Sequence, residues 1–98
     1  NKKKIKIKFN NNKTFFISSE LLRVESPSAE VQGHGHKVIV KNKKDVQINK
    51  IELIGNYAIK IFFSDGHDTG IYTWEKLLEF GLNGEKLLKD YYETLKII

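Results

Sequence analysis

Apolar and polar residues alternate along several short segments of the chain, which is the pattern of half-buried β-strands. The alternation is clearest in "KIKIKF" near the N-terminus and in "IELI" and "AIKIFF" further along. Phe62 and Phe63 make the last of these segments apolar on both faces, which predicts a central position in a sheet. Another short strand is predicted in "HKVIVK", residues 36–41.

Two parts of the chain form an internal repeat. The segments "IKIKFNNNKTFFISSELLRV" and "IKIFFSDGHDTGIYTWEKLLEF" both read as strand, polar turn, strand and short helix. The turns "NNNK" and "SDGH" contain residues that tolerate a left-handed backbone, as hairpin loops require. Ser18 and Thr73 are placed to cap the two short helices. Between the copies, Gly55-Asn56 predicts a tight two-residue hairpin turn of mirror-image geometry.

The C-terminal segment predicts a further, amphipathic helix, with Asn83 placed as its N-cap. The apolar residues of its buried stripe, at helical spacing, are Leu87, Leu88, Tyr91, Tyr92 and Leu95. The predicted fold class is therefore α+β, an antiparallel β-sheet built from two related strand-turn-strand-helix units, with helices on one face and a C-terminal helix. The 98 residues are predicted to form a single domain.

Composition excludes several classes of protein. The chain has no cysteine, so it cannot form disulfides or a thiolate zinc site, and this indicates a cytoplasmic protein. It contains no run of about 18 apolar residues that would span a membrane. The net charge of +5 comes from two lysine clusters with a single arginine, Arg23. Lysines that protect edge strands from aggregation are the favoured reading, and nucleic-acid binding is a weaker alternative.

The segment "SPSAEVQGHGH", residues 26–36, contains the only proline and two of the three histidines. His34 and His36 would face the same way on an extended chain, and with His67 they would make a three-imidazole site for zinc, iron or nickel. The alternative is a flexible glycine loop with incidental histidines. The spacing of these residues does not decide between the two readings.

Aromatic residues follow the "DGHDTG" hairpin. Tyr72 and Trp74 have i, i+2 spacing and would share a face with Asp68, which makes this strand a candidate binding surface. The alternative is that both aromatic side chains fill the core, and Trp74 at a strand-to-helix junction fits that role better.

In "ELLRVESPSAEVQGHG" and "IELIGNYAIKIFFSDGHDTGIYTWEKL" the chain resembles the gamma-butyrobetaine hydroxylase-like N-terminal domain family, over nearly its whole length. That family consists of small bacterial proteins of unknown function, related to the N-terminal domain of gamma-butyrobetaine dioxygenase. Related domains are fused to dioxygenases and to Mrp-type ATPases that carry iron-sulfur clusters. The resemblance therefore implies a protein partner in one of these two systems.

The resemblance also implies a lost metal site. On the dioxygenase, the domain holds zinc through Cys-Pro-Cys-x-x-Cys and a later histidine; on this chain the cysteines fall on Ser26, Ser28 and Val31, and the histidine falls on His67. Hydroxyls and a valine cannot replace thiolates as zinc ligands. The resemblance thus implies a zinc loop without its zinc, in which His67 still lies close to Ser26 and Ser28.

Catalysis by this chain alone is not expected. The larger relatives are iron and 2-oxoglutarate dioxygenases, whose metal site needs a His-x-Asp motif and a distant histidine. Here "GHDTG" lacks the spacer, and no Gly-x-Ser-x-Gly, phosphate loop or catalytic cysteine occurs. The sequence predicts a non-catalytic accessory module without a required cofactor, with zinc or iron at the histidines as the alternative. Its predicted partner-binding residues are Ser26, Ser28, Asp68 and Tyr72.

Overall fold

A computed structural model describes residues 2–33 and 36–97 of the chain. Over these residues strands and helices follow one another in an α+β arrangement, which confirms the predicted fold class. The strands are β1 (Lys4–Lys8), β2 (Thr14–Ser18), β3 (Ile48–Ile54), β4 (Ala58–Phe63) and β5 (Ile71–Thr73). The helices are α1 (Ser19–Val24), α2 (Ala29–Gln32) and α3 (Trp74–Leu95).

The strands form two antiparallel sheets, one of β1 and β2 and one in the order β3-β4-β5. The central position of β4 agrees with its nearly continuous apolar sequence, and Ile61 and Phe63 are buried in the core. Phe62 points to the opposite face, where the ammonium groups of Lys50 and Lys60 lie 5.2 and 4.8 Å from its ring centre. One face of β4 therefore builds the core, and the other is screened by lysines.

The internal repeat is present in the structure as β1-β2-α1 and β4-β5-α3. In both copies the residue before the helix caps it, as predicted. The Ser18 hydroxyl accepts a hydrogen bond of 3.1 Å from the Leu21 amide, and the Thr73 hydroxyl accepts one of 3.2 Å from the Lys76 amide. Each cap satisfies an amide that the first helical turn leaves unpaired, so sequence and local structure agree at both helix starts.

The second copy does not end in a short helix. The predicted break at Asn83 is wrong, because α3 continues through it as one helix of 22 residues. Two glycines beside Asn83 are close-packing positions: a Cβ at Gly81 would lie 2.6 Å from the ring of Phe15, and one at Gly84 would lie 3.1 Å from Leu21. They allow α3 to approach β2 and α1.

Two other local predictions are corrected. The turn between β3 and β4 has three residues, 55–57, and of these only Gly55 has a left-handed backbone, with φ of 54°. The predicted strand in residues 36–41 is not formed. Its backbone instead bonds to other elements: the Val38 amide donates to the carbonyl of Val31 in α2, and the Tyr91 hydroxyl of α3 donates to the Val40 carbonyl.

A single cluster of buried apolar side chains joins the two copies of the repeat. Its members come from both sheets and from α1 and α3, and they include Leu22, Ile61, Tyr72, Leu77 and Phe80. Trp74 packs against this cluster, and its indole N–H donates to the Asn56 carbonyl at 2.8 Å. Over the described ranges, no helix combines the length and apolar character that crossing a membrane would need.

Candidate functional site

The two segments that carry the candidate chemistry meet in the interior of the protein. The Ser26 hydroxyl lies 2.9 Å from Nε2 of His67, and the Ser28 hydroxyl lies 3.4 Å from the same nitrogen. All three residues are buried. The predicted proximity of His67 to Ser26 and Ser28 is therefore confirmed.

Local structure holds the serine loop in place. Ser28 precedes α2 in an extended conformation, and its amide donates to the Ser26 hydroxyl at 3.3 Å. At the end of α2, the Gln32 side-chain amide donates to the Ser26 carbonyl at 2.8 Å. On the opposite side, a Cβ at Gly70 would lie 2.6 Å from the Ser26 hydroxyl. The loop is packed so closely that only glycine fits at position 70.

The imidazole of His67 is kept neutral. Burial lowers its pKa below the ordinary value of 6.5, the positive charge of Arg23 lowers it further, and the nearby carboxylate of Glu30 opposes both effects. Nδ1 lies 3.3 Å from a carboxylate oxygen of Glu30, so the network assigns the imidazole proton to Nδ1 and leaves Nε2 to accept from Ser26. Both ring nitrogens thus have a polar partner within the protein.

A cluster of three charged residues beside the histidine was not predicted. Arg23 Nε and Lys43 Nζ donate to the same oxygen of Asp65, at 2.8 and 2.7 Å, and the His67 amide donates to its other oxygen at 3.1 Å. Burial alone would raise the pKa of Asp65, but these hydrogen bonds outweigh it and lower the pKa from 3.8 to about 2. Nη1 of Arg23 is buried without a hydrogen-bond partner among the described residues.

The predicted partner-binding residues lie at different depths. Ser26, Ser28 and Tyr72 are buried, and the Tyr72 hydroxyl donates to the Leu22 carbonyl at 2.5 Å. Burial raises the pKa of Tyr72 well above its ordinary value. Asp68 is exposed. The first three therefore lie beneath the surface and support the residues above them. Their assignment to partner binding stays a prediction.

The three-histidine metal site also stays a prediction. His34 lies outside the described residues, His36 is exposed, and His67 directs Nε2 at Ser26. Within residues 2–33 and 36–97, no three histidine, aspartate or glutamate side chains gather as metal ligands. The zinc or iron expected as an alternative would thus depend on the position of His34.

Two surface grooves lie away from the serine-histidine cluster. One of about 230 Å³ runs between β2 and α3 and is lined by Phe16, Gly81 and Leu88 among others. The second, of about 390 Å³, is lined by Ile7 to Asn10 and Trp74. Ser18 and Glu85 are among the residues of the first groove and Lys8 is among those of the second, but His67 lines neither of them.

Several lysines of the two basic clusters are paired with carboxylates. Lys3 lies 3.0 Å from Asp45, Lys50 lies 3.3 Å from Glu52, and Lys37 contacts Glu25. Pairing on the same surface reduces the local positive charge that a phosphate backbone would meet. Nucleic-acid binding stays a weak alternative.

Comparison with known proteins places this architecture in one family. The family model described as gamma-butyrobetaine hydroxylase-like, N-terminal, matches residues 1–78. No curated protein matches the sequence at a significant level.

Solved structures share both the fold and part of the sequence. Two proteins studied in solution by NMR are similar, one with 48% identity, a TM-score of 0.84 and coverage of 98% of this chain and 73% of its own. The other has 39% identity, a TM-score of 0.83 and coverage of 97% and 76%. A crystal structure of a protein of unknown function from Acidithiobacillus ferrooxidans, of the DUF971 family, has 36% identity, a TM-score of 0.65 and coverage of 76% and 75%.

Proposed function

The chain belongs to the gamma-butyrobetaine hydroxylase-like N-terminal family, and we propose that it is a non-catalytic module that docks on a protein partner. The family resemblance directs the proposal to partners among the 2-oxoglutarate dioxygenases or the iron-sulfur carriers. The proposal rests on how the molecule uses its most reactive side chains.

One observation carries the proposal: the imidazole of His67 is enclosed between Ser26 and Glu30. An imidazole that serves as a general base needs a free nitrogen within reach of a substrate. Here the nitrogens face a buried hydroxyl and a carboxylate of the same chain, and neither of the two grooves reaches them. The histidine acts as a brace that fixes the loop of residues 26–33 against the turn of residues 64–70.

Next to this brace lies a small acidic surface, formed by the loop of residues 26–33 and the turn of residues 64–70. Glu30 is exposed over 62% of its side chain and accepts a hydrogen bond of 3.0 Å from the Thr69 hydroxyl. Asp68, next to Thr69 in the chain, is exposed as well. We name Glu30, Asp68 and Thr69 the acidic surface. Its charge fits a partner that presents lysine or arginine, and charge complementarity of this kind accelerates association.

The test is a quantitative pull-down from a native cell extract, followed by binding measurements with the purified partner. We expect an iron-sulfur carrier or a dioxygenase to be recovered with the wild-type protein. Asp68→Lys reverses one charge of the acidic surface and is expected to weaken binding of that purified partner about tenfold or more.

The matched control is Glu93→Lys, which reverses an exposed carboxylate on α3. It should leave binding unchanged. Equal loss of binding with both variants would point to nonspecific charge attraction and contradict the proposal. Recovery of no protein of either class, or binding that Asp68→Lys does not alter, would also contradict it.

A further inference from the structure

Strand β3 is the edge of the three-stranded sheet and has β4 on one side. At its start the Ile48 amide donates to the Lys2 carbonyl at 2.7 Å, so this end is covered. Residues 49–53 make no further backbone hydrogen bond on their outer side within the described part of the chain. The N–H and C=O groups that point outward from alternate residues of this five-residue segment are thus open to pairing with another strand.

The open edge is also apolar on the face that it shares with the core. Ile51 and Leu53 lie opposite Ile61 and Ile59 of β4, which are buried. Ile51 is nevertheless 45% exposed and Leu53 is 71% exposed. The apolar face of the sheet therefore extends beyond the elements that cover it, and a strand added at this edge would continue it.

The charged residues of β3 determine which strand can pair with its open edge. Lys50 and Glu52 flank Ile51 symmetrically, are 63% and 46% exposed, and lie 3.3 Å apart within the chain, so each can exchange this partner for its counterpart on a second copy. If a second copy pairs antiparallel with Ile51 opposite Ile51, Lys50 of each copy faces Glu52 of the other. Opposite charges directly across an antiparallel pair stabilise it, and like charges destabilise it.

Other registers lack this match. When one strand shifts by two residues so that the twofold axis passes through position 52, Glu52 faces Glu52 of the other copy and the repulsion opposes pairing. The sequence of β3 is thus complementary to itself in the register centred on Ile51.

We infer that two copies of the protein associate through β3, antiparallel and centred on Ile51, and form one continuous six-stranded sheet. The two Lys50 to Glu52 contacts across the interface set the register, and Ile51 and Leu53 supply apolar contact. Five paired residues bury less surface than a stable interface needs, so the dimer is weak, with a dissociation constant of about 0.1 to 1 mM. The inference does not depend on the acidic surface or on the proposed function.

Charge reversal tests both the association and its register, by sedimentation equilibrium over a concentration series up to about 2 mM. We expect the wild-type protein to dimerise. Lys50→Glu and Glu52→Lys each place like charges across the interface and are expected to weaken dimerisation about tenfold or more. An equimolar mixture of the two variants should dimerise again, because each Glu then faces a Lys of the other copy.

The control variant is Lys89→Glu, an equal charge change at an exposed position of α3, which should leave dimerisation unchanged. Leu53→Lys, at a position exposed enough to keep the fold, should give a monomer. A wild-type protein that stays monomeric over the whole series overturns the inference and leaves the edge to a strand of a different protein. A mixture of the two charge variants that does not dimerise overturns the register.

Discussion

The contact between Ser26 and His67 joins residues that are 41 positions apart. A hydrogen bond of this kind contributes about 1 kcal/mol net, whereas a structural zinc contributes about 10 kcal/mol or more in small domains. The brace is therefore a modest source of stability. Its larger effect is to fix the position of two loops, because an imidazole enclosed by two hydroxyls and a carboxylate has few alternative orientations.

Neutral His67 predicts a defined dependence of stability on pH. Its pKa in the folded protein lies below 6.5, so between the two values the unfolded chain binds a proton that the folded protein does not. The free energy of unfolding should then fall as the pH drops from about 7.5 through the ordinary histidine pKa of 6.5 toward the lower folded-state pKa, and the stability contributed by neutral His67 is complete above this window. Chemical denaturation at several pH values measures the effect.

His67→Gln is the control for this dependence, since glutamine keeps a polar side chain but does not titrate. The variant should lose part of its stability at every pH and show a flatter profile over the same window. Asp65 stays charged there, because its hydrogen bonds to Lys43, His67 and Arg23 lower its pKa to about 2. An equally steep profile in His67→Gln would assign the effect to other groups.

At the scale of single residues, only part of the site could be predicted from the sequence. The resemblance placed Ser26, Ser28 and His67 together, and the structure agrees. The pairing of Arg23 with Asp65 was not predictable, because the two residues are 42 positions apart and a single sequence carries no signal for such pairing. The only hint was that Arg23 is the sole arginine of a chain rich in lysine.

At the scale of elements, local rules succeeded where the signal was local. Alternation located β1, β3 and β4, and hydroxyl residues marked both helix starts. The prediction of a new helix start at Asn83 failed, because α3 is continuous at that position and packs closely against other elements at Gly81 and Gly84. Their role depends on Phe15 and Leu21, which pack against them from distant parts of the chain, and no local pattern contains that information.

The packing role of Gly81 is testable by substitution. Alanine favours a helix by about 1 kcal/mol over glycine, but its Cβ would lie 2.6 Å from the ring of Phe15. We expect Gly81→Ala to destabilise the protein by about 1 to 3 kcal/mol, because overpacking outweighs helix propensity. Thermal or chemical denaturation measures the change.

Asn83→Ala, two residues further along the same helix, provides the comparison. Asn83 is exposed within α3, so alanine should stabilise the protein slightly, by up to about 0.7 kcal/mol. A loss of about 1 kcal/mol would instead show that Asn83 caps a helix start, and a stabilising Gly81→Ala would show that α3 does not pack on β2 as described.

At the scale of the whole molecule, the two repeat units share one core, and the loop of residues 26–33 is attached to it by hydrogen bonds. The contact of Ser26 with His67 and the bond from the Val38 amide to the Val31 carbonyl hold that loop from outside, and the bond from Gln32 to the Ser26 carbonyl holds it from within. Packing and hydrogen bonds within the chain therefore connect this loop to the rest of the protein. This arrangement has a direct consequence for the effect of metal ions.

We expect the domain to fold fully without metal, so its melting temperature in excess EDTA should equal that in metal-free buffer. No cysteine thiolate is present whose zinc site would supply folding energy. A decrease of tens of degrees in EDTA would contradict this expectation. Added zinc provides the second arm, because a ligand at about 100 times its dissociation constant stabilises the folded state by about 2.7 kcal/mol. A zinc-dependent increase that His36→Ala removes and Asp90→Ala, at an exposed carboxylate of α3, retains would support the alternative histidine metal site.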